Sequence, residues 1–437
     1  MRRSGREIRG YRRPLLARRV RRADHSVQPV TKPDVVVIGA GQAGLSVSHE
    51  LSAAGVDHVV LERGRVGETW RGRWDTFCLV TPNWTVRLPG GAYAGDDPDG
   101  FMPRDAIVAH LESYARSFKA PVRERVAVTA LRPIADGFVV NTSEGELRPK
   151  TVVVTTGAYQ KAHRPAAAAS LPRGLYAIDA ERYRNAEALP AGKILIVGSG
   201  QTGCQIADEL HEAGRDVFLA CGRAPWITRR LGGRDFLAWL SETPFFDFAL
   251  RDLPSPEARL IANPQATGHG GGRDLHYRTL QRLGVNLVGH FVGADSTRLQ
   301  FADDLAESVA FGDARYVDLC LLIRRTCESR GVAPPDLPPP SAFTAAAAES
   351  VDLAGFGAII FTSGFRPDYR SWIHADDAFD ALGFPITQDG QSTVVRGLYF
   401  CGVHFLRKRK SSIFLGIGED AAIVARSIAG APAVTTA

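Results

Sequence analysis

Residues 193–210 read "KILIVGSGQTGCQIADEL", and the chain has already made the same pattern at 34–51, "DVVVIGAGQAGLSVSHEL". In each, an apolar β-branched run (Val35 to Ile38; Ile194 to Val197) predicts a strand buried on both faces of a parallel sheet. Each run leads into a glycine triad, Gly39/Gly41/Gly44 and Gly198/Gly200/Gly203, the two starting 159 residues apart. The first glycine permits the tight turn, the second lets a pyrophosphate approach the backbone, and the third lets helix and strand pack closely. The next residues, Gln42 and Ala43 in one copy and Gln201 and Thr202 in the other, open a helix. Its free N–H groups and positive dipole end point at the phosphates. Two such cradles predict an α/β protein with two Rossmann-like dinucleotide-binding domains.

The end of the next strand separates the two sites. After the first triad comes "VDHVVLER", which places Glu62, followed by Arg63, 18 residues beyond Gly44. A carboxylate there accepts hydrogen bonds from ribose hydroxyls and repels a 2′-phosphate. The corresponding stretch after the second triad, "RDVFLACGRAPWITRR", has no acid at its end and offers Arg223, with Arg229 and Arg230 just beyond. A guanidinium can fork onto a phosphate through two parallel hydrogen bonds. FAD at the first cradle and NADPH at the second is the pair this difference predicts; a solvated arginine at a strand end is the alternative reading of Arg223.

A chain of 437 residues, 45% apolar and 23% charged, fits a soluble globular protein of two or three domains. No apolar run approaches the ~18 residues of a membrane span. The net charge of +6 resides in a tail: residues 1–33 hold ten arginines and Lys32 against Glu7 and Asp24, so the remainder is slightly acidic. Twin arginines at the start are not followed by the apolar stretch an export signal needs, so the tail reads as a disordered extension and the protein as cytoplasmic. No nucleic-acid or membrane partner follows for the body, and assembly is left open, a homodimer included. The six cysteines form no C-x-x-C pair. Cys320 and Cys327, seven residues apart on one expected helix, would stand ~10.5 Å apart, too far for a disulfide relay. The histidines at 163, 211, 269, 276 and 290 lack ligand spacing, and no metal site is expected.

Along the chain, the basic tail (1–33) precedes a first FAD-binding segment (34–188). That segment contains a tryptophan-rich loop at 67–90 and then strand signals at "ERVAVTAL", "GFVVNT" and "TVVVTTG", read as a small antiparallel section closing at Gly157. An NADPH-binding segment with a substrate-region insertion follows (189–350), including an expected helix at 311–330 and a proline-rich loop, "APPDLPPPS". "GAIIFTSGFRPD", "GLYFCG" and a last helix at about 418–429 then complete the FAD domain (351–437), so the NADPH domain is inserted into it. The two cradles are the only internal echo in this reading.

The stretches "VVVIGAGQAGLS", "GETWRGRWDTFCLVTPNW", "ERYRNAEALPAGKILIVGSGQTGCQIADEL", "FTSGFRPD" and "GLYFCGVHFLRKRKSSIFLGIGEDAA" resemble the flavin-containing monooxygenases and their bacterial FAD-dependent oxidoreductase relatives. The resemblance implies FAD on the first triad and Glu62, and NADPH on the second triad and Arg223. It also sets the Trp70–Asn83 loop, Trp74 included, against the flavin, with the Gly402 segment and the last helix closing over it; Gly157 is a further cofactor-binding candidate. Asn83 is the candidate for the amide that such enzymes place beside the flavin, with a plain turn residue as the alternative. One departure stands out. Where relatives carry a histidine before the second cradle, "GLYAIDAERYRN" has Asp179, with Tyr183 retained.

The implied activity is an NADPH-dependent monooxygenase that forms a flavin C4a-(hydro)peroxide from O₂ and oxygenates a small organic substrate, most plausibly at nitrogen or sulfur. The rivals are an FAD/NADPH reductase or oxidase without oxygen insertion, and a flavin-bound interaction module using the arginine tail. The protein's task in the first reading is to exclude water and fix the cofactors, since the flavin carries the difficult chemistry.

Overall fold

In a computed structural model, which describes residues 33–344 and 347–430, each glycine triad follows the third or fifth strand of a largely parallel sheet. The basic tail lies outside the described residues. The first sheet runs, in spatial order, Thr387–Gln388, Gln391–Ser392, Leu398–Phe400, Thr151–Val154, Val35–Ile38, His58–Glu62 and Val122–Glu124. Its last five members are parallel. The second sheet runs Tyr176–Asp179, Phe356–Phe361, Lys193–Val197, Val217–Ala220 and Asn286–Val288, all parallel. Strands covered on both faces are apolar throughout, and Val36, Val37, Val152 to Val154, Ile194 to Ile196, Ile359 and Ile360 are wholly inaccessible.

Two strands sit elsewhere than expected. "TVVVTTG" supplies a central parallel strand, because all three valines of Val152–Val154 are buried and an edge hairpin would leave one face wet. The small antiparallel sheet is instead Val128–Ile134, Gly137–Thr142 and Gly145–Leu147. "GAIIFTSG" likewise joins the second sheet, between Tyr176–Asp179 and Lys193–Val197. That sheet therefore takes strands from both sides of the expected 189–350 segment.

Between the Val217–Ala220 strand and Phe356, the chain builds an apolar cluster of its own around Trp226, Phe236, Phe245, Phe246 and Tyr316. It rests on the helix Leu305–Ser329, which starts earlier than the expected 311. Arg229, only 2% exposed, crosses this region and pairs with Asp235 at 2.6 Å, donating also to the carbonyls of Val80 and Thr267. Asp235 accepts in addition from the Leu237 N–H and so caps the helix Phe236–Ser241. Replacing Asp235 with alanine strands a buried guanidinium and removes a cap, which should lower unfolding stability by about 3–5 kcal/mol. Asp235→Asn, which keeps the cap, should lose less. Equal urea midpoints for wild type and Asp235→Ala would refute this account.

His276 is a second buried polar group, its ring centroid 4.6 Å from that of Trp226. Burial pushes its pKa down from 6.5 to about 4. As pH falls, the unfolded chain takes up this proton before the folded one does. Stability from a neutral His276 is therefore complete above pH 6.5 and is lost progressively toward pH 4, by up to about 3 kcal/mol. His276→Phe should flatten this part of the stability profile in urea titrations at stepped pH; an unchanged slope would refute it.

Candidate functional site

The two cradles are built to one plan, down to a residue the sequence reading missed. At the first, Gly39 turns with φ +108°, and the Thr155 hydroxyl donates within reach of both the Ile38 carbonyl (2.7 Å) and the Gly39 carbonyl (3.0 Å). At the second, Gly198 turns with φ +106°, and Thr362 makes the same pair of contacts to Val197 and Gly198 (3.1 and 2.5 Å). A Cβ on Gly44 would stand 1.8 Å from the Gly39 carbonyl oxygen, and one on Gly203 2.0 Å from that of Gly198. These third glycines are fixed by helix–strand packing. The missed signal is a second echo: "VVVTTG" at 152–157 and "IIFTSG" at 359–364 are each an apolar strand ending in Thr-x-Gly.

Neither helix, Gln42–Ala53 nor Gln201–Glu212, has a side-chain cap or an acid in its first turn, so both N-termini are left to an anion. The cradles differ in what faces them. A Cβ at Gly41 would meet nothing within 4 Å, which leaves the space a pyrophosphate needs. At Gly200 the Ala262 methyl stands 3.3 Å from such a Cβ. Nearby, Gln265 Nε2 donates to the Ser199 carbonyl at 2.7 Å, and Gln201 Nε2 to that of Pro264 at 3.1 Å. This 262–265 segment lies over the second turn.

The strand ends also differ between the two copies. Glu62, 8% exposed, receives the Ala40 N–H on Oε2 (2.8 Å) and the Gly64 N–H on Oε1 (2.9 Å), which points the carboxylate along the cradle; Arg63 beside it is exposed. Strand register pairs Ile38 with Leu61 and Val197 with Ala220, so the residue equivalent to Glu62 in the second copy is Cys221, an inaccessible neutral thiol. Two residues on, Arg223 is exposed and has no acid within 4 Å among the described residues. Arg229 and Arg230 do not join it. The first is consumed by Asp235, and the second donates to the carbonyls of Gly271 and Gly272.

Around the first cradle three segments meet at Gln42. Its Oε1 accepts from the Trp70 indole N–H (3.0 Å), and its Nε2 donates to the Ser412 carbonyl (3.4 Å). Trp70 stacks on Phe414 with centroids 5.6 Å apart. Gly402, at φ +84°, passes so close to the helix that a Cβ would lie 2.6 Å from that of Ala43. Gly157, at φ +68°, offers its carbonyl to Tyr369 OH and Gln160 Nε2, both at 2.7 Å.

Two expected site residues are buried. Trp74, 4% exposed, packs edge-on to Phe77 inside the core. Asn83, 4% exposed, donates through Nδ2 to the Asp97 carbonyl (2.9 Å), and its N–H goes to Gly100 O. These bonds brace the 97–100 turn, and its Oδ1 is buried without a hydrogen-bond partner. Asp179 forms a two-bond pair with Arg164 at 2.7 and 3.0 Å. Among the described residues all six cysteines are free, no group of side chains suits a metal, and no helix is long and apolar enough to cross a membrane.

The profile of the pyridine nucleotide-disulphide oxidoreductase family matches residues 36–243, which span both cradles. An uncharacterized CzcO-like oxidoreductase of Geobacillus kaustophilus is 30% identical over 393 residues, 89% of this chain and 96% of the relative. The chain belongs to the CzcO-like oxidoreductases. The family borders the flavin-containing monooxygenases: human flavin-containing monooxygenase 5 is 27% identical over 229 residues, 46% of this chain and 42% of the relative. A flavin-containing monooxygenase from Stenotrophomonas maltophilia shares the fold, with a TM-score of 0.63 at 18% identity over 91% of this chain and 98% of the other.

Proposed function

We propose that the protein is an FAD-dependent monooxygenase that takes its electrons from NADPH and transfers one oxygen atom to a small organic substrate at nitrogen or sulfur. The observation that carries the cofactor pair is the replacement of Glu62 by Cys221 and Arg223 at equivalent strand ends of two otherwise matched cradles. The kinship with flavin-containing monooxygenases supports the oxygen-transfer part.

In this reading the Gly39–Gly44 turn and the helix start hold the FAD pyrophosphate, and Glu62 accepts from the ribose. Trp70 and Phe414, braced by Gln42, wall off the far end, while Gly402 lets the closing loop reach the helix. The second sheet with its insertion forms the NADPH domain, inserted in the FAD domain, and Arg223 pairs with the 2′-phosphate. Bound flavin supplies the electron and oxygen chemistry; the chain positions, desolvates and excludes water.

The test is ¹⁸O₂ turnover on panels of amines and thioethers. One labelled atom in the product is the expected result. NADPH oxidation with stoichiometric peroxide and no labelled product identifies the reductase or oxidase instead.

A further inference from the structure

The stretch Arg407-Lys408-Arg409-Lys410 places four cations in a row beside the first cradle, and three of them are neutralised. Arg407 pairs with Asp389, Glu419 and Asp420 at 2.9–3.1 Å. Lys408 and Lys410 share Asp247 and Glu419 at 2.8–3.2 Å. Arg409 has no carboxylate within 4 Å among the described residues. Its Cζ lies 4.4 Å from the ring centroid of Phe245 and 4.9 Å from that of Phe405, and its Nε is buried with no hydrogen-bond partner. Burial alone lowers its pKa, to about 10. Phe405 holds its ring there at φ +55°, a conformation rarely taken by a bulky residue.

A desolvated guanidinium without an acid is unfavourable for folding, and an apolar residue of similar size would serve the fold better. An anion arriving from outside would supply the missing partner. The position says which. Arg409 opens the turn whose last residue, Ser412, receives Gln42, and its N–H donates to the Phe248 carbonyl (2.7 Å) of the insertion. It thus stands between the flavin-side wall and the insertion, with aromatic rings about it.

We propose that Arg409 is a substrate-specificity residue, holding the carboxylate of an organic acid on the accessible edge of a guanidinium that Phe245 and Phe405 fix in place. The proposal rests on the reading that the first cradle holds FAD. The fork of a guanidinium edge matches two carboxylate oxygens, and the rings that stack on the guanidinium hold that edge in a fixed orientation. The same cation could instead serve a phosphate of a bound dinucleotide, and the test separates the two.

As-purified holoenzyme with oxidised flavin, without NADPH, is titrated by calorimetry with benzoate and phenylacetate and with their uncharged amides. The expected result is an acid bound at least tenfold more tightly than its amide. Arg409→Met should abolish that preference, Arg409→Lys should keep part of it, and FAD content and NADPH affinity should not change. Should Arg409→Met fail to fold, Arg409→Lys alone must weaken acid binding several-fold. The proposal is overturned if wild type shows no preference for either acid, or if the preference survives in Arg409→Met. A tenfold loss of FAD or NADPH affinity in the variants overturns it too, since Arg409 would then hold a cofactor phosphate. No oxygen transfer enters this measurement, so failure of the monooxygenase reading leaves it intact.

Discussion

Gly41→Ala yields a folded protein that has lost its FAD. Gly41 has φ −83° and ψ −169°, which alanine adopts freely, and the added methyl would meet no protein atom within 4 Å. The unfolded chain also loses freedom, so the apoprotein should be unchanged or slightly more stable, by up to about 1 kcal/mol. The methyl does occupy the space through which a pyrophosphate reaches the free N–H groups of the helix start. Losing two charge-assisted hydrogen bonds of ~1.5–3 kcal/mol each lowers FAD affinity by roughly a hundredfold or more. Gly44→Ala is the contrast: its methyl would lie 1.8 Å from a backbone oxygen that cannot step aside, and the protein itself should fail. Visible absorbance of the purified proteins reads flavin content, and thermal melts against deflavinated wild type read stability. A yellow Gly41→Ala protein with full flavin content would refute the assignment of the first cradle.

Arg223→Ala should raise KM for NADPH by roughly ten- to a hundredfold while leaving NADH nearly untouched, the value of one charge-assisted pair. From sequence, Arg229 and Arg230 could share the phosphate and mask the single change. The structure removes that escape, since Arg229 is locked to Asp235 and Arg230 to carbonyls of the Gly271–Gly272 turn. The full effect should therefore appear in the single variant. Steps after hydride transfer should be unaltered, because the strand end is remote from the reacting ring. Stopped-flow reduction with the two nucleotides measures both points, and a wild type equally fast with NADH and NADPH would sink the idea whatever the variant did.

The segment over the second cradle has a consequence for these measurements. On the proposed placement of NADPH, binding would displace Ala262 and the two glutamine contacts, and its affinity would include the free energy of moving that segment. FAD meets no such obstacle at Gly41.

Local signals were legible in the chain itself. A β-branched run, a glycine triad and a helix start lie within some twenty residues, and each constrains its neighbours through turn geometry and burial. Both glycine turns and the strand ends at Glu62 and Arg223 could therefore be located without coordinates. The thin acidic balance of the body and the absence of close cysteine pairs were equally readable. What the sequence could not decide was partnership across long separations. Whether Thr151–Val154 and Phe356–Phe361 stand in a central parallel sheet or an edge hairpin depends on which distant strands lie beside them, and an apolar run fits either. Trp74 and Asn83 could be picked for their chemistry, but that one packs against Phe77 and the other bonds the 97–100 turn was set by tertiary packing. Charge behaves in the same way. Four adjacent cations are alike in sequence, and only the tertiary placement of Asp247, Asp389, Glu419 and Asp420 neutralises three of them and leaves Arg409 between two rings, because a carboxylate acts on whatever the fold brings within a few ångströms.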